Sequence, residues 1–285
     1  MKKVLKQIGK AIGYFAVYLT CMNVVDLIAG FVWGYSKGKE FKEMGLSPDE
    51  AAAAFQSVET GYKGISMLIG AILTLLVFFI IEKVKKTSLA KETDMKKVTG
   101  KQMGLTVIGA LGGMFFMNFM LSILPIPEEL LGDLTSGMGS LTSYPFWLAI
   151  IVNAILIPIL EEVVFRGYIF SRLGKAMPAV VAAVISSVIF GLCHGGLVWA
   201  IWAGIVGLII CVVRVKSGSI IPGIVFHIIM NTYGMVCSYF PVLEKLNNTG
   251  MYILTAIGGI MLAVYIVGIL TDKSAAKDKA EVTVA

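Results

Sequence analysis

Residues 146–171 read FWLAIIVNAILIPILEEVVFRGYIFS. The first fifteen positions carry no charge; Glu161, Glu162 and Arg166 then appear with apolar residues on both sides. A run of about 20 apolar residues has the length of a membrane-spanning helix. Ionisable groups inside such a run are costly and by default mark function. On a helix Glu162 and Arg166 are i and i+4, so they share a face and can form an ion pair. Glu161 is rotated by about 100° from Glu162. One carboxylate is then held by the arginine, and the other is left to exchange a proton as a general base must. On this stretch alone, a helix end in water with all three charges solvated explains the pattern equally well.

The remainder of the chain is of the same kind. Of its 285 residues 57% are hydrophobic and 15% charged, and the mean hydropathy is +0.85. Soluble domains are about half apolar and a quarter charged, and one core at this length cannot bury the excess. A soluble enzyme, a disordered chain and a secreted disulfide scaffold are excluded. Cys21, Cys193, Cys211 and Cys237 lie far apart in apolar runs without a CxxC, so neither a disulfide framework nor a zinc knuckle is indicated. Apolar runs fall at 11–34, 63–81, 103–124, 146–171, 177–194, 197–213, 219–240 and 250–270. None alternates as an outer-membrane strand does. They predict an all-α polytopic membrane bundle of eight transmembrane helices. Residues 1–270 form a single integral membrane domain, and 271–285 a polar, disordered cytoplasmic tail. Within the loop 35–62, Ser47-Pro48-Asp49-Glu50 predicts the start of a short surface helix.

With the N-terminus inside, the cytoplasmic segments carry 18 Lys and Arg and the outer ones 5. The outer loop 125–145 has Glu128, Glu129 and Asp133 and no cation. This bias supports an even helix count and an N-in, C-in orientation. It also accounts for the net charge of +6, so no nucleic-acid partner is expected. The opening MKKVLKQIGKAIGYF leads into a run too long for a signal peptide and reads as an uncleaved first span.

There is no P-loop, GxSxG or HExxH. His194 and His227 are the only histidines, and both fall in apolar runs. His227 and Asn231 are i, i+4 neighbours. Counted from the nearest turns, Glu162, His227 and His194 stand about 18, 15 and 27 Å along their helices, which permits a shared site within the membrane. Two imidazoles, a carboxylate and an amide around a water suggest hydrolysis. In one route Glu161, His194 and His227 bind Zn²⁺, which activates water. In the other, slightly favoured here, Glu161 and His194 polarise the water directly and His227 with Asn231 stabilise the oxyanion.

Glu161-Glu162-x-x-x-Arg166, Phe190-x-x-x-His194 and His227-x-x-x-Asn231 together resemble the three signature motifs of the CPBP family. That family comprises the CAAX prenyl proteases of the Rce1 type and the bacteriocin-processing and immunity (Abi) proteins. All three motifs are complete and in order within 145–240. The resemblance implies an eight-helix intramembrane endopeptidase, of metallo- or glutamic type, with a cavity open to the cytosol. By motif, Glu161 is the general base, His194 its partner, Glu162 the partner of Arg166, and His227 with Asn231 the oxyanion site. The substrate does not carry over with the resemblance; a hydrophobic or membrane-anchored peptide or protein is expected. The compact, Lys-rich N-terminus fits a multi-pass protein of a bacterial or archaeal plasma membrane.

Two other classes compete. A non-catalytic immunity or binding protein on the same fold would have no need to bury Glu161, Glu162, His194 and His227. A transporter would use Asn23, Asp26 and Asn118, yet no repeat is visible. The GxxxG spacings Gly30/Gly34 and Gly109/Gly113 predict packing within the bundle rather than a dimer face.

Overall fold

The computed structural model describes residues 2–58, 61–130, 132, 144–240 and 247–272. The expected tail over 271–285 and the loop 125–145 lie mostly outside them, and so does the side chain of Asn118. Ten helices organise the described chain, which contains no strand: α1 Lys2–Glu43, α2 Pro48–Val58, α3 Lys63–Val84, α4 Leu89–Glu92, α5 Gly100–Ile123, α6 Phe146–Leu173, α7 Ala179–Leu192, α8 Leu197–Ser217, α9 Ile221–Tyr239 and α10 Asn248–Thr271. The protein is a polytopic helical membrane bundle.

Each of the eight apolar runs is helical, but the boundaries differ from expectation. Among the described residues six helices (α1, α3, α6, α8, α9, α10) are long and apolar enough to cross a membrane. Helix α7 has only 14 residues, short of the roughly 20 a perpendicular span needs. Helix α1 is the opposite case. No proline interrupts residues 2–43, and the helix runs on for 42 residues, about 63 Å, twice the hydrocarbon thickness. Helix α2 begins where Ser47 predicts it: Glu50 N–H donates to Ser47 Oγ at 3.4 Å and Ser47 N–H to Glu50 Oε2 at 2.9 Å, a reciprocal cap.

Helix α6 is the axis of the bundle. Its apolar window is 72% buried, against 0% for α1 and 17% for α10. Helices α1, α3, α7, α8 and α9 pack around it. Outward residues such as Leu27 and Phe31, about three-quarters exposed, would be a liability in water and are at home in hydrocarbon. Helix α5 lies against α10 and α9 through small residues. A Cβ on Gly112 would meet Leu262 N at 2.7 Å and Gly258 O at 2.9 Å, so the two backbones touch. Gly109 faces Tyr265 and Gly113 faces Phe226, while Gly30 faces Tyr62 and Gly34 faces Phe55. Both GxxxG pairs thus pack inside this chain, as expected. Asp26 is bound by Lys63 Nζ at 2.7 Å and Ser66 Oγ at 2.9 Å and is a tie between α1 and α3.

Candidate active site

The uniform α-helix expected for residues 146–171 is not what forms. Ile150–Leu156 and Glu162–Phe170 are π-helical, with Ile157–Glu161 α-helical between them. Pro158 supplies a cause for the first: it has no N–H to donate and its ring crowds the carbonyl of Ala154, so the preceding turns widen. Widened turns are frequent at functional sites. Glu161 and Glu162 fall on the junction into the second widened stretch, all nine residues of which are buried.

Arg166 Nη1 donates to Glu162 Oε1 at 2.8 Å, with both side chains 0% exposed. This is the i, i+4 pair the sequence predicts, and a buried arginine without it would be costly. The guanidinium carbon also sits 4.4 Å from the centre of the Phe190 ring, a cation–π contact. Two glycines make the room. A Cβ on Gly207 would lie 2.8 Å from Arg166 Nη2, and one on Gly223 would lie 3.1 Å from Glu162 Oε2.

His227 stands between the two carboxylates. Its Nδ1 is 3.1 Å from Glu162 Oε1 and its Nε2 is 3.6 Å from Glu161 Oε2. Glu162, ion-paired with Arg166, can only accept, so Nδ1 carries the hydrogen and Nε2 is turned to Glu161. His227 is buried.

His194 is not within a helix. Helix α7 ends at Leu192, and His194 lies on the turn into α8. Gly195 (φ +66°) and Gly196 (φ +46°) hold left-handed backbone there, which glycine adopts without cost. The gap between the runs 177–194 and 197–213 places the break at these glycines, but the helix ends two residues short of His194. His194 Nδ1 lies 2.8 Å from the Phe190 carbonyl. A carbonyl only accepts, so Nδ1 donates and Nε2 is left for other partners. Phe190 is the hub of this side, with ring centres 4.5 Å from His194 and 5.7 Å from His227.

A cavity of about 260 Å³ is lined by Glu161, His194 and Asn231, together with Asn153, Cys193 and Tyr18. The six residues singled out in the sequence therefore divide. Glu161, His194 and Asn231 face a common cavity; Glu162, Arg166 and His227 form buried scaffolding behind Glu161. Asn231 Nδ2 donates to the Asn153 carbonyl at 2.9 Å, leaving its second amide hydrogen. Sequence reasoning passed over Asn153, whose amide donates to the Tyr144 hydroxyl. The signal was present: Asn153 is the one polar residue between Phe146 and Leu160. Among the described residues no three His, Cys, Asp or Glu side chains gather to hold a metal ion. Glu161, His194 and His227 do not form such a group; the Nδ1 contact of His227 with Glu162 leaves its Nε2 on the side of Glu161.

Comparison with known proteins bears on the same segment of the chain. Residues 143–233, which contain all three motifs, match the Rce1-like family of type II CAAX prenyl endopeptidases. The chain is 28% identical over 207 residues to the Bacillus subtilis (strain 168) protein named "Putative membrane peptidase YdiL", covering 70% of this chain and 82% of that one. It is 29% identical over 170 residues to UPF0177 protein YxdF of Lactococcus lactis subsp. lactis (strain IL1403), covering 57% of this chain and 90% of that one. No solved structure matches. Over residues 143–233 the chain is thus similar to the Rce1-like CAAX prenyl endopeptidases, and with the relative named as a membrane peptidase this supports a membrane protease family.

Proposed function

We propose that the protein is an intramembrane endopeptidase that hydrolyses a peptide bond in a hydrophobic or membrane-anchored peptide, without a metal ion. The observation that carries this reading is the shared cavity, in which Glu161, His194 and Asn231 come together from three separate helices and turns. A water between Glu161 and His194 Nε2 gives up a proton to Glu161 as its oxygen attacks the scissile carbonyl. The spare amide hydrogen of Asn231 is placed to receive the developing oxyanion. Glu161 then passes the proton to the leaving amine. Glu162, Arg166 and His227 hold Glu161 and do not touch substrate; His227 is thereby assigned to positioning rather than to the oxyanion. The cation bias of 18 to 5 supports an N-in, C-in orientation in a bacterial or archaeal plasma membrane.

The test is a comparison of membrane peptides in cells expressing the wild type and Glu161→Gln. Peptides that are shortened only with the wild type are the expected result. Identical peptide populations, with both proteins present in the membrane at equal levels, would refute the reading.

A further inference from the structure

One end of the bundle gathers cations that this chemistry does not use. Arg172 closes α6 and Lys175 follows it, Lys85 follows α3, and Lys6 and Lys10 lie one turn apart on α1. Their charges converge: those of Arg172, Lys6, Lys85 and Lys175 all bear on Lys10, and those of Arg172 and Lys85 bear on Lys175. Two of the five are tied from within. Lys85 Nζ donates to Glu82 Oε1 at 2.9 Å and Oε2 at 2.8 Å, and Glu82 also accepts the hydroxyls of Tyr14 and Tyr168. Arg172, only 8% exposed, is ion-paired with Glu92. These anchored cations flank the Tyr14 ring, at 5.4 Å for Lys85 and 5.9 Å for Arg172.

The other three are exposed, and no ion pair among the described residues engages Lys6, Lys10 or Lys175. Burial and then the charge of Arg172 hold the Lys175 ammonium below the usual lysine value; Asp94 opposes them and Lys85 adds to them. The local charge is in excess of its anions.

A second observation says what kind of anion fits. Exposed apolar side chains lie near these cations along the chain: Leu5 and Ile12 about Lys6 and Lys10, Val84 before Lys85, and Val180 five residues after Lys175 are 61% to 77% exposed. A nucleic acid or an acidic protein has no use for that rim. A lipid uses both parts, the cations for its phosphate and the apolar side chains for its acyl chains.

We propose that this end of the bundle is a binding site for an anionic phospholipid, its phosphate seated between Lys10 and Lys175 with Lys85 and Arg172 held behind it. The site joins α1, the end of α3 and the end of α6, the helix that carries Glu161. An occupant would clamp the far end of the proposed catalytic helix. The site does not depend on the peptidase reading.

Native mass spectrometry of the full chain, offered equal amounts of phosphatidylglycerol and phosphatidylcholine, tests it. The wild type is expected to retain phosphatidylglycerol preferentially. Lys10→Gln with Lys175→Gln, both surface positions without an internal ion pair, should lose that preference by about fivefold for each lysine removed. Lys37→Gln with Lys39→Gln, on the same helix but remote from the cluster, should keep it. A double variant at 10 and 175 that retains the preference would overturn the site, as would equal loss in the 37/39 variant. Inorganic phosphate that displaces the lipid from the wild type at equal concentration would also overturn it, since a free anion would then suffice.

Discussion

His227 Nδ1 and Arg166 Nη1 converge on the same oxygen, Glu162 Oε1, at 3.1 and 2.8 Å. That single oxygen joins α6 to α9 and fixes the His227 ring so that Nε2 is presented to Glu161. Two adjacent carboxylates on one helix thus acquire different tasks. Glu162 commits its Oε1 to two internal bonds and is fully buried, while Glu161 keeps an edge in the cavity. The division follows from geometry alone, since the two side chains are chemically identical.

The two glutamates should separate stability from activity. Glu162→Gln leaves Arg166 without its counter-charge in a site with no exposure to solvent, a change expected to cost about 3–5 kcal/mol. Glu161→Gln removes no such partner and should unfold close to the wild type. Its cleavage should fall by about 100-fold or more, the usual contribution of a positioned base. Thermal unfolding in detergent beside a cleavage assay reads both. Equal melting temperatures for the two variants would contradict the assignment of Glu162 to the ion pair.

Glycine positions on α8 give a prediction with an internal control. At Gly207 an added methyl would press on Arg166 Nη2 at 2.8 Å and on the Phe190 ring at 3.1 Å, whereas at Gly204 it would meet only Ser187 O, at an ordinary 3.5 Å. Gly207→Ala is expected to destabilise by about 1–3 kcal/mol through overpacking. Gly204→Ala should be neutral or stabilising by up to about 1 kcal/mol, since alanine is the better helix former. Denaturation midpoints of the two variants check this; the same sign for both would mean that Arg166 has room to move.

These glycines also show which parts of the site sequence can and cannot convey. Glu161, Glu162 and Arg166 stand out because charge in a long apolar run needs a reason, and their pairing follows from helical spacing. The same logic, applied to Asn153, would have placed it in the site as well. Gly207 and Gly223 are different: a glycine in an apolar run looks the same whether it faces lipid or the guanidinium of Arg166. What they do is set by a neighbouring helix and is invisible along the chain. His194 fell between these cases. Its motif was readable, and so was the break at Gly195 and Gly196, which falls in the gap between the runs 177–194 and 197–213; what hydropathy did not show is that the helix ends at Leu192, two residues before His194. The length of α1 was missed for a related reason, since hydropathy marks the lipid-facing part of a helix and not its ends.

Outside the spanning segments, Asp94 predicts a pH dependence. Burial raises the cost of its ionisation, but the hydrogen bond from Lys96 and the charge of Arg214 outweigh it and hold the carboxyl below its ordinary value. A carboxyl with a depressed folded-state value stabilises the fold above its unfolded value, about 3.9, and loses that contribution as pH falls through the folded value. Asp94 also has left-handed backbone, φ +56°, which asparagine tolerates. Asp94→Asn therefore isolates the charge. It should be less stable than the wild type at neutral pH, with the difference closing only as pH falls below about 4. A gap in unfolding midpoints that stayed constant through that range would remove Asp94 as its source.

The proposed metal-free route makes a last prediction. A catalytic zinc ion takes three protein ligands and leaves one position for water. Here His194 has its Nδ1 on the Phe190 carbonyl and offers only Nε2, while His227 has its Nδ1 on Glu162 and its Nε2 toward Glu161. Each ring thus has its Nδ1 held and its Nε2 free, but Glu161, His194 and His227 do not gather as a three-ligand set among the described residues, so a zinc ion would have to draw them together. That rearrangement would replace the approach of His227 Nε2 to Glu161 with bonds to the ion. Cleavage by the purified protein should therefore be unchanged after prolonged exposure to 1,10-phenanthroline and EDTA. The folded state should also melt at the same temperature before and after chelation, because no internal bond depends on an ion. Activity lost to the chelator and recovered with Zn²⁺ alone would overturn the metal-free route.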